Sequence, residues 1–134
     1  MFTFVMSKKC LPRPTDSELS ILSVLWQRGP STVRAVYEEL GRWQSTGYTT
    51  VLKLMQIMIE KGLLKRDDSE RSHVYEAAVA QQQTQRQLLG DLLERAFSGS
   101  AQQLVMQALA SKKASPEDLI EIRKLIDQME GKTK

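Results

Sequence analysis

Apolar positions recur at threes and fours from Leu19 to Met58, give way to two short extended runs between Leu63 and Ala77, and return to threes and fours from about Ala80. The first stretch predicts three helices. Thr15 with Glu18 three residues later is a capping-box pattern, and Leu19, Leu22, Leu25 and Trp26 follow on one side until Arg28-Gly29-Pro30 stops the helix. Ser31 is the expected cap of a second helix, in which Val33, Val36, Tyr37 and Leu40 stand at i, i+3, i+4 and i+7 before Gly41. Arg42 to Gly47 reads as a connector, with Thr46 the expected cap of the third helix. There Val51, Leu54, Met55 and Met58 share one side up to Gly62, which predicts that this side is buried. Thr49, Lys53, Gln56 and Glu60 fall on the opposite side. Hydroxyl, amide and cation are the groups that can meet base edges in a major groove.

Leu63 to Arg66 and His73 to Ala77 read as two strands, joined by Asp67-Asp68-Ser69-Glu70, a turn too polar to be buried. Two short helices with a glycine-containing turn, a third polar-faced helix and a hairpin are the parts of a winged helix-turn-helix. From Ala80 onward only helices are predicted: Gln81 to Phe97, Ala101 to Ala110 and Pro116 to Met129. Ser98-Gly99-Ser100 makes the first break, and Ser115-Pro116-Glu117-Asp118 starts the last helix with cap, proline and acid in order. Apolar stripes run through Leu88, Leu89, Leu92, Leu93, Ala96 and Phe97, through Leu104, Val105 and Leu109, and through Leu119, Ile122, Ile126 and Met129. So small a wing cannot cover them, and a second copy of the chain is the expected partner, with a monomeric helical cap as the alternative.

The expected fold class is therefore mainly α with a small β-hairpin wing: a winged helix-turn-helix domain plus a C-terminal helical dimerisation region. The corresponding segments are a leader at 1–14, a DNA-binding domain at 15–78 and a dimerisation region at 79–134, with Met6 an alternative start to Met1. A chain of 134 residues, 41% hydrophobic, suits a folded protein of this size. The net charge of +3 is modest but unevenly placed, since Arg42, Lys53, Lys61, Lys65 and Arg66 face Glu60 alone between residues 42 and 66. Such a surplus attracts a polyanion locally. The single cysteine, Cys10, excludes an internal disulfide and suits a reducing cytoplasm. No apolar run approaches the roughly 18 residues of a membrane span, so no membrane insertion is expected and a cytoplasmic location is. His73 is the only histidine and has no cysteine beside it, which argues against a metal site. Neither a glycine-rich phosphate loop nor a nucleophile with its base is present, and Asp67-Asp68 belongs to a turn. No catalytic residue and no cofactor are expected.

The run from Tyr48 through Leu54, the Glu60-Lys61-Gly62-Leu63 step and Arg71-Ser72-His73-Val74-Tyr75 resemble the penicillinase-repressor (BlaI/MecI/CopY) family of bacterial regulators. The likeness extends to Asp16–Trp26 and to the helix from Ser115 to Ile126. It implies a homodimeric winged-helix repressor that holds palindromic double-stranded operator DNA through a recognition helix at about 47–61 and a wing at about 63–77. It places Thr49, Thr50 and Lys53 in the recognition helix and Arg71 in the wing. Some relatives are cleaved at an Asn-Phe bond in the second C-terminal helix, where this chain has Gln107-Ala108, and copper-responsive relatives carry paired C-terminal cysteines that are missing here. The inducing signal and a membrane sensor-protease partner are thus left open, and a neighbouring gene for such a protease would favour proteolytic induction despite the altered Gln107-Ala108 site.

Each candidate contact also has a plainer role. Thr49, Lys53 and Gln56 could form the solvent side of an ordinary helix. Tyr48 can bond a phosphate at the helix start or pack on helix two. Arg71 can reach a backbone or a narrow minor groove, or pair with Glu70. Lys65 and Arg66 are expected to attract phosphates without sequence preference, and Arg42 and Lys61 more weakly. Trp26 is expected in the core and Trp43 over the base of helix three, with His73 structural or close to DNA. The rival function is a winged-helix protein-interaction module that does not bind DNA.

Overall fold

The computed structural model describes residues 12–69, 71–111 and 113–131. In chain order these form α1 (Asp16–Arg28), α2 (Val33–Leu40), α3 (Tyr48–Lys61), β1 (Leu64–Asp67), β2 (Val74–Ala77), α4 (Gln81–Ala96), α5 (Ala101–Ala110) and α6 (Pro116–Met129). The chain divides into two compact units, one up to Leu88 and one from Leu89 on. Met6, Cys10 and nearly all of the expected leader lie outside the described residues, as does Glu70 of the turn. Where description begins, Pro14 is already buried.

In the first unit, α1 begins as its sequence pattern requires. The Thr15 hydroxyl accepts from the Glu18 amide at 3.2 Å and the Glu18 carboxylate accepts from the Thr15 amide at 2.9 Å. The core gathers Ile21, Leu22, Val24 and Leu25 of α1, Val33, Val36 and Leu40 of α2, and Val51, Met55 and Met58 of α3. Leu63, Leu64, Tyr75 and Val79 close it from the hairpin side. Leu54, expected inside with Val51 and Met55, is only partly buried, because it lies at the edge of the stripe that Val51, Met55 and Met58 centre. Gly62 ends α3 in the left-handed region at φ 86°, and Leu63 N–H returns to the Met58 carbonyl at 2.8 Å. That bond turns the chain sharply into β1.

β1 and β2 pair antiparallel with Leu64 opposite Ala77, Lys65 opposite Glu76, Arg66 opposite Tyr75 and Asp67 opposite Val74. Both strands start one residue later than the hydrophobic pattern predicts. Leu63 instead joins the core at the helix end, and Asp67 stays in the ladder while accepting from the Ser69 amide at 2.9 Å. That bond holds the Asp67 carboxyl below its usual range.

Three local expectations are corrected. Ser31 does not cap α2: Thr32 does, accepting from the Ala35 amide at 3.1 Å. Ser31 is instead extended and exchanges two backbone hydrogen bonds with Tyr75, at 2.9 and 2.8 Å, which adds a bridge to the hairpin. Thr46 does not cap α3, whose N-cap is Gly47 with no side-chain bond. Trp43, expected over the base of α3, is 59% exposed. Trp26 packs against the core as expected, partly buried, with its indole N–H donating to the Val79 carbonyl at 3.0 Å.

In the second unit, Ser100 caps α5 and Ser115 caps α6, the latter in a reciprocal box with Asp118 at 3.0 Å in each direction. Neither α5 nor α6 contains a buried residue. Of the stripe residues, Leu89, Leu92, Val105, Leu119 and Ile126 are exposed, while Leu88, Leu93, Phe97, Leu104, Leu109 and Ile122 are partly covered. Met106, Ile120, Leu125 and Met129 add to the uncovered apolar surface, Met129 at 79% exposure.

Candidate nucleic-acid interface

With Val51, Met55 and Met58 sunk in the core, α3 turns Thr49, Thr50, Lys53, Gln56 and Glu60 to solvent. Lys53 has no ion-pair partner among the described residues, and the same holds for Arg71 on the hairpin connection. The other cations of the local surplus are engaged. Lys61 Nζ lies 2.6 Å from Glu18 Oε1, Lys65 3.6 Å from Glu76, and Arg42 3.6 Å from Glu39. Arg66 Nε is 2.8 Å from Asp68 Oδ1, and His73 Nδ1 meets the same oxygen at 3.1 Å. Bonding to Tyr75 and to Asp68 holds the Arg66 guanidinium above its usual pKa.

These pairings are not equal. Those of Lys65, Arg66 and Arg42 are solvent-exposed, and such pairs contribute roughly 0–1 kcal/mol, so a phosphate can displace the carboxylate. Lys61 differs because Glu18 is buried at 3% exposure, and the pair ties the start of α1 to the end of α3. Lys61 is accordingly a structural cation.

The first turn of α3 is uncapped by any side chain and carries no acid, so its free amide ends face outward without a local negative charge. Tyr48 stands there in a T-shaped contact with Tyr37, at 5.6 Å and 83°, so it packs on α2. The Arg34 guanidinium lies 5.1 Å over the Tyr48 ring. Periodicity does not single out Arg34, since it sits on the polar side of α2 and its partner is fourteen residues away in a different helix. A cleft of about 690 Å³ runs between the start of α2, α3 and the hairpin, and Arg34, Tyr48, Gln56, Arg66 and His73 line it.

Among the described residues no group of three His, Cys, Asp or Glu side chains could hold a metal ion, and no helix is long and apolar enough to cross a membrane. The sequence profile of the penicillinase repressors matches residues 14–128, which takes in both units. The chain belongs to the penicillinase repressor family. It is similar to the penicillinase repressor of Bacillus licheniformis, at 21% identity over 126 residues that cover 94% of this chain and 98% of that one. It is also similar to the transcriptional regulator BlaI from two strains of Mycobacterium tuberculosis, at 30% identity over 97 residues, covering 72% of this chain and 70% of each relative. The family and these relatives are transcriptional regulators and not enzymes. Its winged-helix architecture accounts for the mainly helical fold with a two-stranded hairpin among the described residues.

Proposed function

We propose that this protein is a homodimeric transcriptional repressor, acting in the cytoplasm on a two-fold symmetric operator. One observation carries the DNA-binding half of this reading: α3 buries one stripe and presents Thr49, Thr50, Lys53 and Gln56 on the other, beside a hairpin bearing Lys65, Arg66 and Arg71. A helix held this way can enter a major groove while the wing lies along the neighbouring backbone. Threonine can meet a thymine methyl or a phosphate, glutamine an adenine edge, and Lys53 a guanine or a phosphate. The uncovered apolar stripes of α4, α5 and α6 support the dimeric half, because water-exposed leucines and isoleucines of this number gain most from a second copy of the same surface. Two recognition helices related by a two-fold axis would read half-sites about one helical turn apart, near 10 base pairs, or a multiple of it. Repression then follows from occupying promoter DNA.

Selection from a randomised duplex pool with the full-length chain tests this. Enrichment of an inverted repeat, with affinity falling steeply as salt rises, is the expected result. Failure to enrich any duplex, together with salt-insensitive binding, would favour the protein-interaction module instead.

A further inference from the structure

A helix about 10–12 Å across with its side chains fills a major groove about 12 Å wide, so the flanks of a reading helix lie against the two phosphate strands. On α3 one such flank is formed by Tyr48, Leu52 and Gln56, and it faces the cleft of about 690 Å³ between α2 and the hairpin. Two arginines reach that cleft, Arg66 from β1 and Arg34 from α2. Arg66 pairs closely with Asp68, at 2.8 Å, though at the exposed surface. Arg34 is less committed, because its acidic neighbour Glu38 lies 3.8 Å away with both side chains 64% exposed. An exposed pair of that kind yields readily to a phosphate.

Arg34 is nevertheless held in place. Its guanidinium carbon lies over the Tyr48 ring, 5.1 Å from the centroid, and Tyr48 in turn meets Tyr37 in a T-shaped contact at 5.6 Å. A cation–π contact positions a guanidinium without using up its five N–H donors, so donors remain for phosphate oxygens. We propose that Arg34 is a DNA-backbone contact, positioned by Tyr48 so that a phosphate strand lying in the cleft is clamped from the α2 side as well as from the wing. This rests on the DNA-binding reading above and adds to it a residue from outside the reading helix and the wing. A contact to phosphate contributes affinity and register but carries no base preference.

The test uses the full chain and the duplex that the selection returns. Arg34→Ala, at an exposed position, is expected to leave circular dichroism and melting temperature unchanged, to weaken binding on the order of tenfold, and to reduce the slope of log affinity against log salt by about one. Base preference in a repeated selection stays the same. Arg34→Lys is expected to restore the salt slope but only part of the affinity, because an ammonium lacks the planar fork of donors that matches phosphate oxygens. Tyr48→Ala should weaken binding, and combining it with Arg34→Ala should cost less than the two separate losses multiplied. Arg34→Ala with wild-type affinity and slope overturns the proposal, and so does a change of base preference, which would make Arg34 a base reader. Absence of duplex binding by the wild-type chain overturns the DNA-binding reading itself, a result separate from either of these.

Discussion

Glu18→Gln isolates the bond that couples α3 to the start of α1. Glu18 is buried, accepts from Lys61 Nζ at 2.6 Å and from the Thr15 amide at 2.9 Å, and so joins the first turn of α1 to the last turn of α3. Glutamine keeps the volume and can still accept from Thr15, so the substitution removes only the charge that faces Lys61. A charge-assisted bond contributes about 1.5–3 kcal/mol, and because Lys61 is one-third exposed water replaces part of it, leaving an expected loss of about 1–2 kcal/mol. For a unit of this size that is a fall in melting temperature of about 4–16 °C. Burial pushes the Glu18 carboxyl up, but the Lys61 hydrogen bond, the Thr15 amide and the Lys61 charge together outweigh it and the net shift is downward. A lowered folded-state value means that the stabilisation is complete above the ordinary glutamate value of about 4.3 and is lost as pH falls through the lowered one. Thermal melts followed by circular dichroism should therefore show a constant gap between wild type and Glu18→Gln from pH 7 down to about 5, closing at more acidic pH as Glu18 protonates. A variant that melts with the wild type at pH 7, or a gap that persists at the acidic end, refutes the reasoning.

Gly62→Val should destabilise the protein by about 1–2 kcal/mol, because Gly62 sits at φ 86° with open space around it and only backbone strain is at stake; Gly62→Asn should lose less, as denaturant titration would record. Lys53→Ala is expected to weaken operator binding and leave the oligomeric state intact, and unchanged affinity in a gel-shift titration would remove Lys53 from the reading face. Placing charge on the uncovered stripe with Leu92→Glu and Ile126→Glu together should shift the chain toward monomer in light scattering, whereas an unaltered mass would show that these helices do not join two copies.

Much of the fold was legible because its signals are local. Both predicted capping boxes, at Thr15 and Ser115, form with both of their bonds, since each needs only residues three apart. The stripe of Val51, Met55 and Met58 is buried, and Gly62 ends the helix, because helical period and a left-handed terminus are properties of a short window. What was not legible depends on partners far along the chain. Ser31 and Thr32 are equally good caps by residue type, and the bridge to Tyr75 draws Ser31 into the hairpin and leaves the cap to Thr32. Lys61 looked like a free cation of a basic stretch until the fold brought it to Glu18, forty-three residues earlier. Exposure of Thr49, Thr50, Lys53 and Gln56 followed from periodicity, but the pairing of Lys65 and Arg66 depends on strand register and turn shape. Arg34 over Tyr48 has no short-range signature at all, since it depends on how α2 crosses α3.

Sedimentation of the chain alone and on a duplex carrying the selected sequence bears most directly on the claim that two copies present matching α3 faces to a symmetric site. Two chains should sediment together without DNA and two per duplex with it, and backbone footprints should repeat on a spacing of about 10 base pairs or its multiple about a central axis. One chain per duplex, or a single unpaired footprint, would contradict it.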